Sequence, residues 1–260
     1  MVPRQQGRRK LETGGRLWNF LVPNRYQVGF FKPERWPSVY PPPMAGGQRS
    51  RRRAQPGGHP LRREVVAHHQ RQRILTGAAR VFAERGYRQA SVADIVKAAA
   101  IARARFYENF SSKEDCFFAL YDSATSDALD TVARACEGSI ESFPERVGAA
   151  IDALLTTIDA DPDLARACIV EGPAVGPPIN SRFEELIADF ATLLRSGRGD
   201  VGSRELPGTV EETVVGGLYW LLYYALLEKR PKRIKRLRSQ LVEFSLIPFI
   251  GAEAATAAAR

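Results

Sequence analysis

Four polar side chains within seven residues have the types and the spacing to contact DNA. Arg103 and Tyr107 lie four residues apart, and so do Arg105 and Asn109, so each pair shares one face of a helix. Arginine bonds bidentately to guanine, asparagine bonds to adenine, and tyrosine reaches phosphate oxygens. The solvated surface of any short helix would also accept these residues. Their spacing favours the DNA-contacting helix over this alternative.

A helix that presents these side chains needs other helices to bury its apolar side. Apolar residues recur at helical spacing in three successive segments. They are Ile74, Ala78, Val81 and Phe82 in the first, Val92, Ile95 and Ala99 in the second, and Phe106 and Phe110 in the third. Gly86 is a natural stop for the first helix. The pattern predicts three helices around one small core, with a tight turn between the second and the third.

Serines mark the starts of two helices. Ser91 precedes Asp94 by three residues, and Ser112 precedes Asp115 by three. A serine at this position caps the free N–H groups of a first helical turn. We therefore predict helices that begin just after Ser91 and just after Ser112.

The run ILTGAARVFAERGYRQASVADIVKAAAIARARFYENFSSKEDCFFALY, residues 74–121, resembles the TetR family of bacterial transcriptional repressors. The resemblance lies in a first helix with phenylalanine and a final glycine, a capped second helix, Phe-Tyr-x-x-Phe, and Ser-Lys-Glu. It implies an all-α protein in which a three-helix helix-turn-helix domain precedes a larger helical ligand-binding and dimerisation domain.

The resemblance also implies roles for individual residues. Ser91 would meet a phosphate, Arg103 and Arg105 would reach base edges, and Tyr107 and Lys113 would hold the DNA backbone. Asn109 is a further candidate for a base or phosphate contact.

The chain departs from the family pattern inside the helix-turn-helix. The family usually has glycine at Ala100, serine or threonine at Ala102, glycine at Ala104 and threonine at Arg105. Alanine in the turn is strained where φ is positive, and the missing hydroxyl at Ala102 removes a helix cap. The operator sequence therefore cannot be transferred from the family.

Charge is unevenly distributed along the 260 residues, whose net charge is +9. Residues 1–60 carry +10, residues 61–113 carry +7 and residues 114–260 carry −8. We predict three parts with these boundaries: a disordered basic tail rich in Pro, Gly and Arg, the helix-turn-helix domain, and the regulatory and dimerisation domain. The basic end would face a polyanion.

The tail contains Met44, the only methionine besides Met1. We expect translation to begin there, which would make residues 1–43 a mis-assigned start. Arg49 and the arginines at 51–53 would then form an arm that enters a minor groove, or else a solvated charge run. No apolar segment suited to a signal peptide precedes them.

Catalytic and metal-binding patterns are missing from the sequence. Cys116, Cys136 and Cys168 have no CxxC spacing and lie in apolar helical stretches, which indicates buried free thiols. The adjacent His68 and His69 point about 100° apart on a helix and make a poor metal pair. We expect no enzyme activity, no metal and no cofactor.

From Glu114 onward the periodicity is helical, and breaks divide this part into about six helices. The breaks fall near Phe143-Pro144, Asp161-Pro162, Gly172 to Pro178, Gly197 to Gly202, and Pro231. The segment VVGGLYWLLYYALL, residues 214–227, is apolar on all sides but too short to span a bilayer. One of its faces would pack on the subunit's own core and another on a second copy.

The next helix continues the apolar pattern, so two helices per subunit would form a four-helix dimer interface, as the resemblance also implies. The predicted interface residues are Leu218, Leu222, Tyr223, Leu237, Leu241 and Phe244. The alternative is a monomer that buries all these residues internally.

The sequence as a whole predicts a homodimeric, cytoplasmic, nucleoid-associated repressor that binds a near-palindromic operator in double-stranded DNA. A small molecule bound in the C-terminal domain would release it. Tyr121, Glu171 and Tyr219 are candidate ligand-binding residues, although core or interface roles would also explain them. The competing hypothesis is a helical adaptor that binds ligand or protein without specific DNA binding.

Overall fold

The computed structural model describes residues 60–137, 142–195, 206–228 and 234–260, with side chains from residue 66 onward except that of Lys235. These residues form helices and connecting turns without a strand, which confirms the all-α prediction. The α-helices are α1 (Pro60–Arg85), α2 (Val92–Ala98), α3 (Arg103–Asn109), α4 (Lys113–Cys136), α5 (Phe143–Ala160), α6 (Pro162–Arg166), α7 (Pro177–Arg195), α8 (Val210–Leu227), α9 (Arg238–Ile250) and α10 (Ala252–Ala258).

Three shorter helical segments are also present in the described residues. A π-helical turn, Ala167–Glu171, and a 3₁₀ turn, Gly172–Ala174, extend α6 towards α7. A second 3₁₀ turn, Lys235–Leu237, leads into α9. We call the continuous stretch of α6 and the π-helical turn, residues 162–171, the α6–π segment.

Local sequence explains where several helices begin. The Ser91, Ser112 and Ser142 hydroxyls each accept the backbone N–H of the residue three positions on. The Asp161 carboxylate does the same at the start of α6, where Pro162 also lacks an N–H that would need a partner. The predicted helix starts after Ser91 and Ser112 are therefore confirmed.

The first core lies among the helices of the helix-turn-helix, where Ile74, Phe82, Ile95 and Phe106 are fully buried. The predicted apolar stripes of α1, α2 and α3 thus meet as expected. Residues of α4 as far as Tyr121, and Ala167 and Cys168 of the α6–π segment, join the same core. The helix-turn-helix is therefore continuous with the larger helical part through α4.

The second core is built by α5, α8, α9 and α10. Leu155 of α5, Leu222 of α8, Leu241 and Leu246 of α9, and Ala255 of α10 are all buried in it. The predicted breaks at Phe143, Asp161 and Gly172 coincide with observed helix ends.

The end of the chain differs from the predicted pattern of helix breaks. Gly251, with φ of 81°, separates α9 from α10, and this break was not predicted. Pro248 lies inside α9, near its C-terminal end. The proposed start at Met44, the arginine arm, and the breaks at 197–202 and Pro231 lie outside the described residues.

Candidate DNA interface and ligand cavity

The start of α2 is held by a reciprocal pair of hydrogen bonds between Ser91 and Asp94. The Asp94 N–H donates to Ser91 Oγ at 3.2 Å, and the Ser91 N–H donates to Asp94 Oδ2 at 3.0 Å. The Ser91 hydroxyl also donates to Asp94 Oδ2 at 2.6 Å, and this bond, the Ser91 N–H and Arg85 at 3.0 Å lower the pKa of the Asp94 carboxyl. Ser91 is exposed at this helix start, where a phosphate would meet free N–H groups.

The turn between α2 and α3 requires a left-handed residue. Ala100 has φ of 51° and is the one non-glycine residue with positive φ in the described part of the chain. Arg73 of α1 donates to the Ala99 and Ala100 carbonyls at 2.9 and 3.0 Å. Gly77 allows the close approach of α1, because a Cβ there would lie 2.8 Å from the Ala99 nitrogen.

A second arginine of α1 supports the other end of the recognition helix. The Arg71 guanidinium lies 4.4 Å from the Phe110 ring centroid and donates to the Asn109 carbonyl at 3.4 Å. Sequence reasoning missed Arg71, Arg73 and Gly77. The sequence did contain a signal for them. Two arginines stand just before Ile74 in the interior of α1, far from the helix ends where cations are usual, and a glycine follows within the same helix.

Helix α3 presents polar side chains on two flanks. On one flank Arg103 Nη2 lies 3.4 Å from the Tyr107 hydroxyl, which belongs to a ring that is 47% exposed. On the other flank Arg105 is exposed and Asn109 is half-buried. The structure therefore brings four of the six predicted DNA-contacting side chains to one short helix whose apolar side is buried.

The exposed centre of α3 also carries an acidic residue that sequence reasoning missed. Glu108 Oε2 accepts from Arg105 Nη1 at 2.6 Å. At about 100° per residue, Ala104 and Glu108 lie between the two flanks. A glutamate can accept a hydrogen bond from cytosine N4, so Glu108 has the chemistry to read a base.

Asn109 has an intramolecular role in this structure. Its Nδ2 donates to the Arg105 carbonyl at 2.9 Å, one helical turn earlier. The side chain thereby satisfies a carbonyl at the C-terminal end of α3, where such groups lack helical partners. For Asn109 Nδ2 to contact DNA as predicted, its hydrogen bond to the Arg105 carbonyl would have to be replaced by one to the DNA.

Lys113, assigned to the DNA backbone by resemblance, also bonds within the protein. Its Nζ donates to the Tyr87 and Ala90 carbonyls at 2.7 and 2.8 Å and lies 4.3 Å from the Tyr87 ring centroid. Partial burial lowers the pKa of this ammonium group. The lysine therefore fastens the start of α4 to the turn between α1 and α2.

A cavity of about 240 Å³ lies within the larger helical part, bounded by α4, α5, the α6–π segment, α7, α8 and α9. One face of α5 lines it along the helix's full length. The lining residues of this face are Phe143, Arg146, Val147, Ala150, Ile151, Leu154, Thr157, Ile158 and Asp161. At 1.5 Å per residue the stripe is about 27 Å long, so the cavity wall is elongated.

Two of the three predicted ligand-binding residues line this cavity. Tyr121 and Tyr219 are both in its wall, and burial raises the pKa of both hydroxyls. The Tyr219 hydroxyl donates to the Ile169 carbonyl at 2.7 Å. The α-helical donor to that carbonyl would be Pro173, which has no N–H, so the tyrosine supplies the bond.

Glu171 is outside the cavity lining, so its ligand contact stays a prediction that this cavity does not support. Its Oε2 accepts the backbone N–H of Tyr87 at 3.0 Å, at the end of α1. Arg166, five residues earlier, donates to the Ala83 carbonyl at 3.1 Å and to the Leu226 carbonyl. The α6–π segment thus contacts the cavity with one side and the helix-turn-helix with the other.

The three cysteines of the described residues form no disulfide, and two of them, Cys136 and Cys168, line the cavity. Cys116, Cys136 and Cys168 are free cysteines. Burial raises the pKa of the Cys116 and Cys168 thiols to about 12. Low nucleophilicity follows, because the thiolate is the reactive form.

The predicted dimer residues separate into two groups. Leu222, Tyr223 and Leu241 are buried within the subunit itself, so they offer no surface to a second copy. Leu218 and Leu237 pack against the same core and are partly buried. Leu222, Tyr223 and Leu241 thus serve the subunit's own core, because the pattern alone did not show which side of each helix the subunit covers. The interface roles of the partly buried Leu218 and Leu237 stay a prediction.

Phe244 is the predicted interface residue that stands exposed, at 39%. Its ring lies on Gly217 of α8, where a Cβ would approach ring atoms to 2.5 Å. Tyr224 of α8 and Ile247 of α9 are exposed to a similar degree. We call Gly217, Tyr224, Phe244 and Ile247 the α8–α9 face.

No helix in the described residues has the length and apolarity needed to cross a membrane. Within the same residues, no group of three His, Cys, Asp or Glu side chains is arranged to hold a metal ion.

Residues 74–120 match the family model described as bacterial regulatory proteins, tetR family. The chain is 28% identical over 128 residues to the uncharacterised HTH-type transcriptional regulator YdgC of Bacillus subtilis strain 168. That match covers 48% of this chain and 62% of the relative, which is less than two thirds of its length. The chain is 26% identical over 160 residues to the HTH-type transcriptional repressor DhaR of Mycobacterium sp. strain GP1, covering 50% of this chain and 80% of DhaR.

Solved structures share the fold. The fatty acid degradation regulator FadR of Bacillus halodurans superposes with a TM-score of 0.58 at 22% identity, covering 66% of this chain and 94% of FadR. The FadR of Bacillus subtilis, solved in complex with stearoyl-CoA, gives a TM-score of 0.58 at 17% identity, covering 69% of this chain and 98% of that protein.

Proposed function

We propose that the chain is a member of the TetR family, which comprises transcriptional regulators rather than enzymes, and that it is a dimeric repressor released from DNA by an elongated apolar molecule. The observation that carries this proposal is the path of α4. This helix begins in the helix-turn-helix core at Cys116 and Phe117 and then forms a wall of the ligand cavity.

The DNA half of the proposal is supported by the surface of α3. Arg103, Arg105 and Tyr107 are exposed on a helix whose Phe106 is fully buried, so the side chains are free to enter a major groove. Ser91 supports the same surface at the start of α2. We assign base reading to Arg103, Arg105 and Glu108, and backbone contact to Ser91 and Tyr107.

The α8–α9 face supports the dimer. Tyr224, Phe244 and Ile247 together expose apolar side chains beside Gly217, on the two helices that the resemblance assigns to a four-helix interface. A second copy would cover the same face in a twofold arrangement. Two recognition helices per dimer would then read a near-palindromic operator in the cell's nucleoid.

The cavity supports an apolar effector of elongated shape. Its α5 wall runs for about 27 Å and is apolar except near its ends, at Arg146, Thr157 and Asp161. A structural relative, the Bacillus subtilis FadR, was solved with stearoyl-CoA, a ligand with a long acyl chain. We propose a ligand of comparable form for this chain.

Release from DNA would follow from a difference in ligand affinity between two arrangements of the subunit. The α6–π segment lines the cavity through Leu164 and Cys168 and holds the end of α1 through Arg166 and Glu171. A ligand that favours a shifted position of this segment would move the helix-turn-helix. DNA affinity would fall by the ratio of the ligand's affinities for the two arrangements.

The proposal is tested by selecting genomic DNA fragments that bind the purified full-length chain. We expect enrichment of a near-palindrome, and its loss in the variant Arg103→Ala/Arg105→Ala, which changes only exposed side chains. Arg134→Ala, an exposed arginine on α4, is the matched control and should enrich the same sequence. Absence of enrichment at low salt for the unchanged chain would instead favour the helical adaptor that binds no specific DNA.

A further inference from the structure

The hydroxyl groups around the cavity are nearly all committed to backbone carbonyls. Thr125 donates to the Tyr121 carbonyl at 2.9 Å, Thr157 to Ala153 at 2.9 Å, and Ser245 to Leu241 at 2.7 Å. Tyr219 donates to Ile169 at 2.7 Å. A ligand therefore finds few free donors along these walls.

The Tyr121 hydroxyl is the exception. Tyr121 is 4% exposed and lines the cavity, yet its hydroxyl has no hydrogen-bond partner among the described residues. The Tyr121 oxygen is not among the fully buried, unpartnered side-chain atoms of the described residues, so it is accessible from the cavity. A ligand atom that accepts its hydrogen bond would gain the net contribution of one hydrogen bond.

We propose that Tyr121 is the donor that selects the ligand, and that the ligand is an apolar molecule with a neutral carbonyl or ether oxygen. This inference rests on the proposed ligand-binding function and names the chemical class of its effector. The oxygen would lie in the part of the cavity near Cys168 and Tyr219, with the apolar remainder along the α5 wall.

The surroundings of Tyr121 argue for a neutral oxygen. Burial raises the pKa of the Tyr121 and Tyr219 hydroxyls and of the Cys168 thiol, so the region disfavours negative charge on three separate groups. A carboxylate placed there would carry the same desolvation cost. The ionisable lining residues Arg146 and Asp161 are at the two ends of the α5 stripe.

Through its contacts, Tyr121 would transmit the effect of ligand binding towards the DNA-binding domain. Its ring stacks on Phe117 with centroids 6.3 Å apart, and Phe117 contacts Phe82 and Tyr87 at 5.3 Å each. Tyr121 is thus part of the first core as well as of the cavity wall. A hydrogen bond made at this hydroxyl acts on α4 directly.

The test compares methyl heptyl ketone with its analogue that has =CH₂ in place of the carbonyl oxygen, and with nonanoate, a carboxylate of the same number of carbons as the ketone. Their affinities for the full-length protein are measured by displacement of the neutral dye Nile red. We expect the ketone to bind about two- to tenfold more tightly than the methylene analogue, the range of one net hydrogen bond. In Tyr121→Phe this preference should disappear while the affinity for the methylene analogue stays unchanged.

Tyr87→Phe is the matched control, because it removes a tyrosine hydroxyl from the same aromatic cluster at a residue outside the cavity lining. It should keep the preference for the ketone. Equal affinity for ketone and methylene analogue, a preference that survives in Tyr121→Phe, or tighter binding of nonanoate would each overturn the assignment. Because the DNA selection needs no ligand, its result separates failure of this inference from failure of the regulator proposal.

Discussion

At the scale of single residues, Lys113 has two roles to distinguish. Resemblance assigns its ammonium group to the DNA backbone, whereas the structure bonds it to the Tyr87 and Ala90 carbonyls. The two roles differ in salt dependence, because a lysine that neutralises a phosphate releases a counterion on binding. A lysine that only positions the turn between α1 and α2 releases none.

We expect Lys113→Met to lower the free energy of unfolding by about 1–3 kcal/mol, the range for charge-assisted hydrogen bonds. Operator affinity should fall as well, while the slope of log affinity against log salt concentration stays unchanged. Fluorescence anisotropy over a salt series measures both quantities. If the magnitude of this salt-dependence slope fell by about 0.9 per subunit, Lys113 would be shown to neutralise a DNA phosphate.

The substitution Ala100→Gly tests whether the turn between α2 and α3 is strained. The φ of 51° at Ala100 suits glycine, so Ala100→Gly should raise the free energy of unfolding by about 0.5–1 kcal/mol. Ala104→Gly, at an exposed position inside α3, should lower it by about 1 kcal/mol. Chemical denaturation of both variants checks the opposite signs; destabilisation by Ala100→Gly would show that the turn is unstrained.

At the scale of elements, the α6–π segment connects two helix ends. The Arg166 guanidinium donates to Ala83 near the end of α1 and to Leu226 and Leu227 at the end of α8. Carbonyls at the C-terminal end of a helix lack helical donors, and a cation there is favoured by the helix dipole. One side chain therefore holds the DNA-binding domain to a helix of the proposed dimer interface.

Arg166→Ala should lower the free energy of unfolding by about 2 kcal/mol, because partly buried carbonyls lose a charged donor. Operator affinity should fall with it, since α1 supports both α2 and α3. Arg134→Ala, whose guanidinium bonds only Thr131 on the exposed side of α4, should change stability by less than about 0.5 kcal/mol. Equal effects of the two substitutions in thermal unfolding would argue against the connecting role.

At the scale of the whole molecule, the α8–α9 face decides the oligomeric state. A charge placed there would be buried without a partner in a dimer but solvated in a monomer. Exposure of the face in the single subunit means that the fold itself tolerates the change.

Ile247→Arg should therefore convert the protein from dimer to monomer, with the helical content unchanged. Analytical ultracentrifugation gives the mass and circular dichroism gives the fold. Val66→Arg is the control, because Val66 is also an exposed apolar residue but lies on α1. A dimer that persists in Ile247→Arg would place the interface on another surface.

The helix-turn-helix followed from the sequence in considerable detail. Its apolar stripes at Ile95 and Phe106, the serine caps, and the positive φ at Ala100 depend on neighbours within a few residues, where helical spacing and cap chemistry are decisive. The family match over residues 74–120 supports the same assignment. The polar face of α3 was predictable for the same local reason.

The tertiary structure decided what depends on partners distant in the chain. Arg73 supports a turn 26 residues away, Glu171 binds a backbone N–H 84 residues away, and Leu241 is buried in the core of its own subunit. Periodicity shows that a residue is apolar or polar on a helix face, but it carries no information about which other helix covers that face. The free hydroxyl of Tyr121 likewise appears only when the packing around the cavity is known.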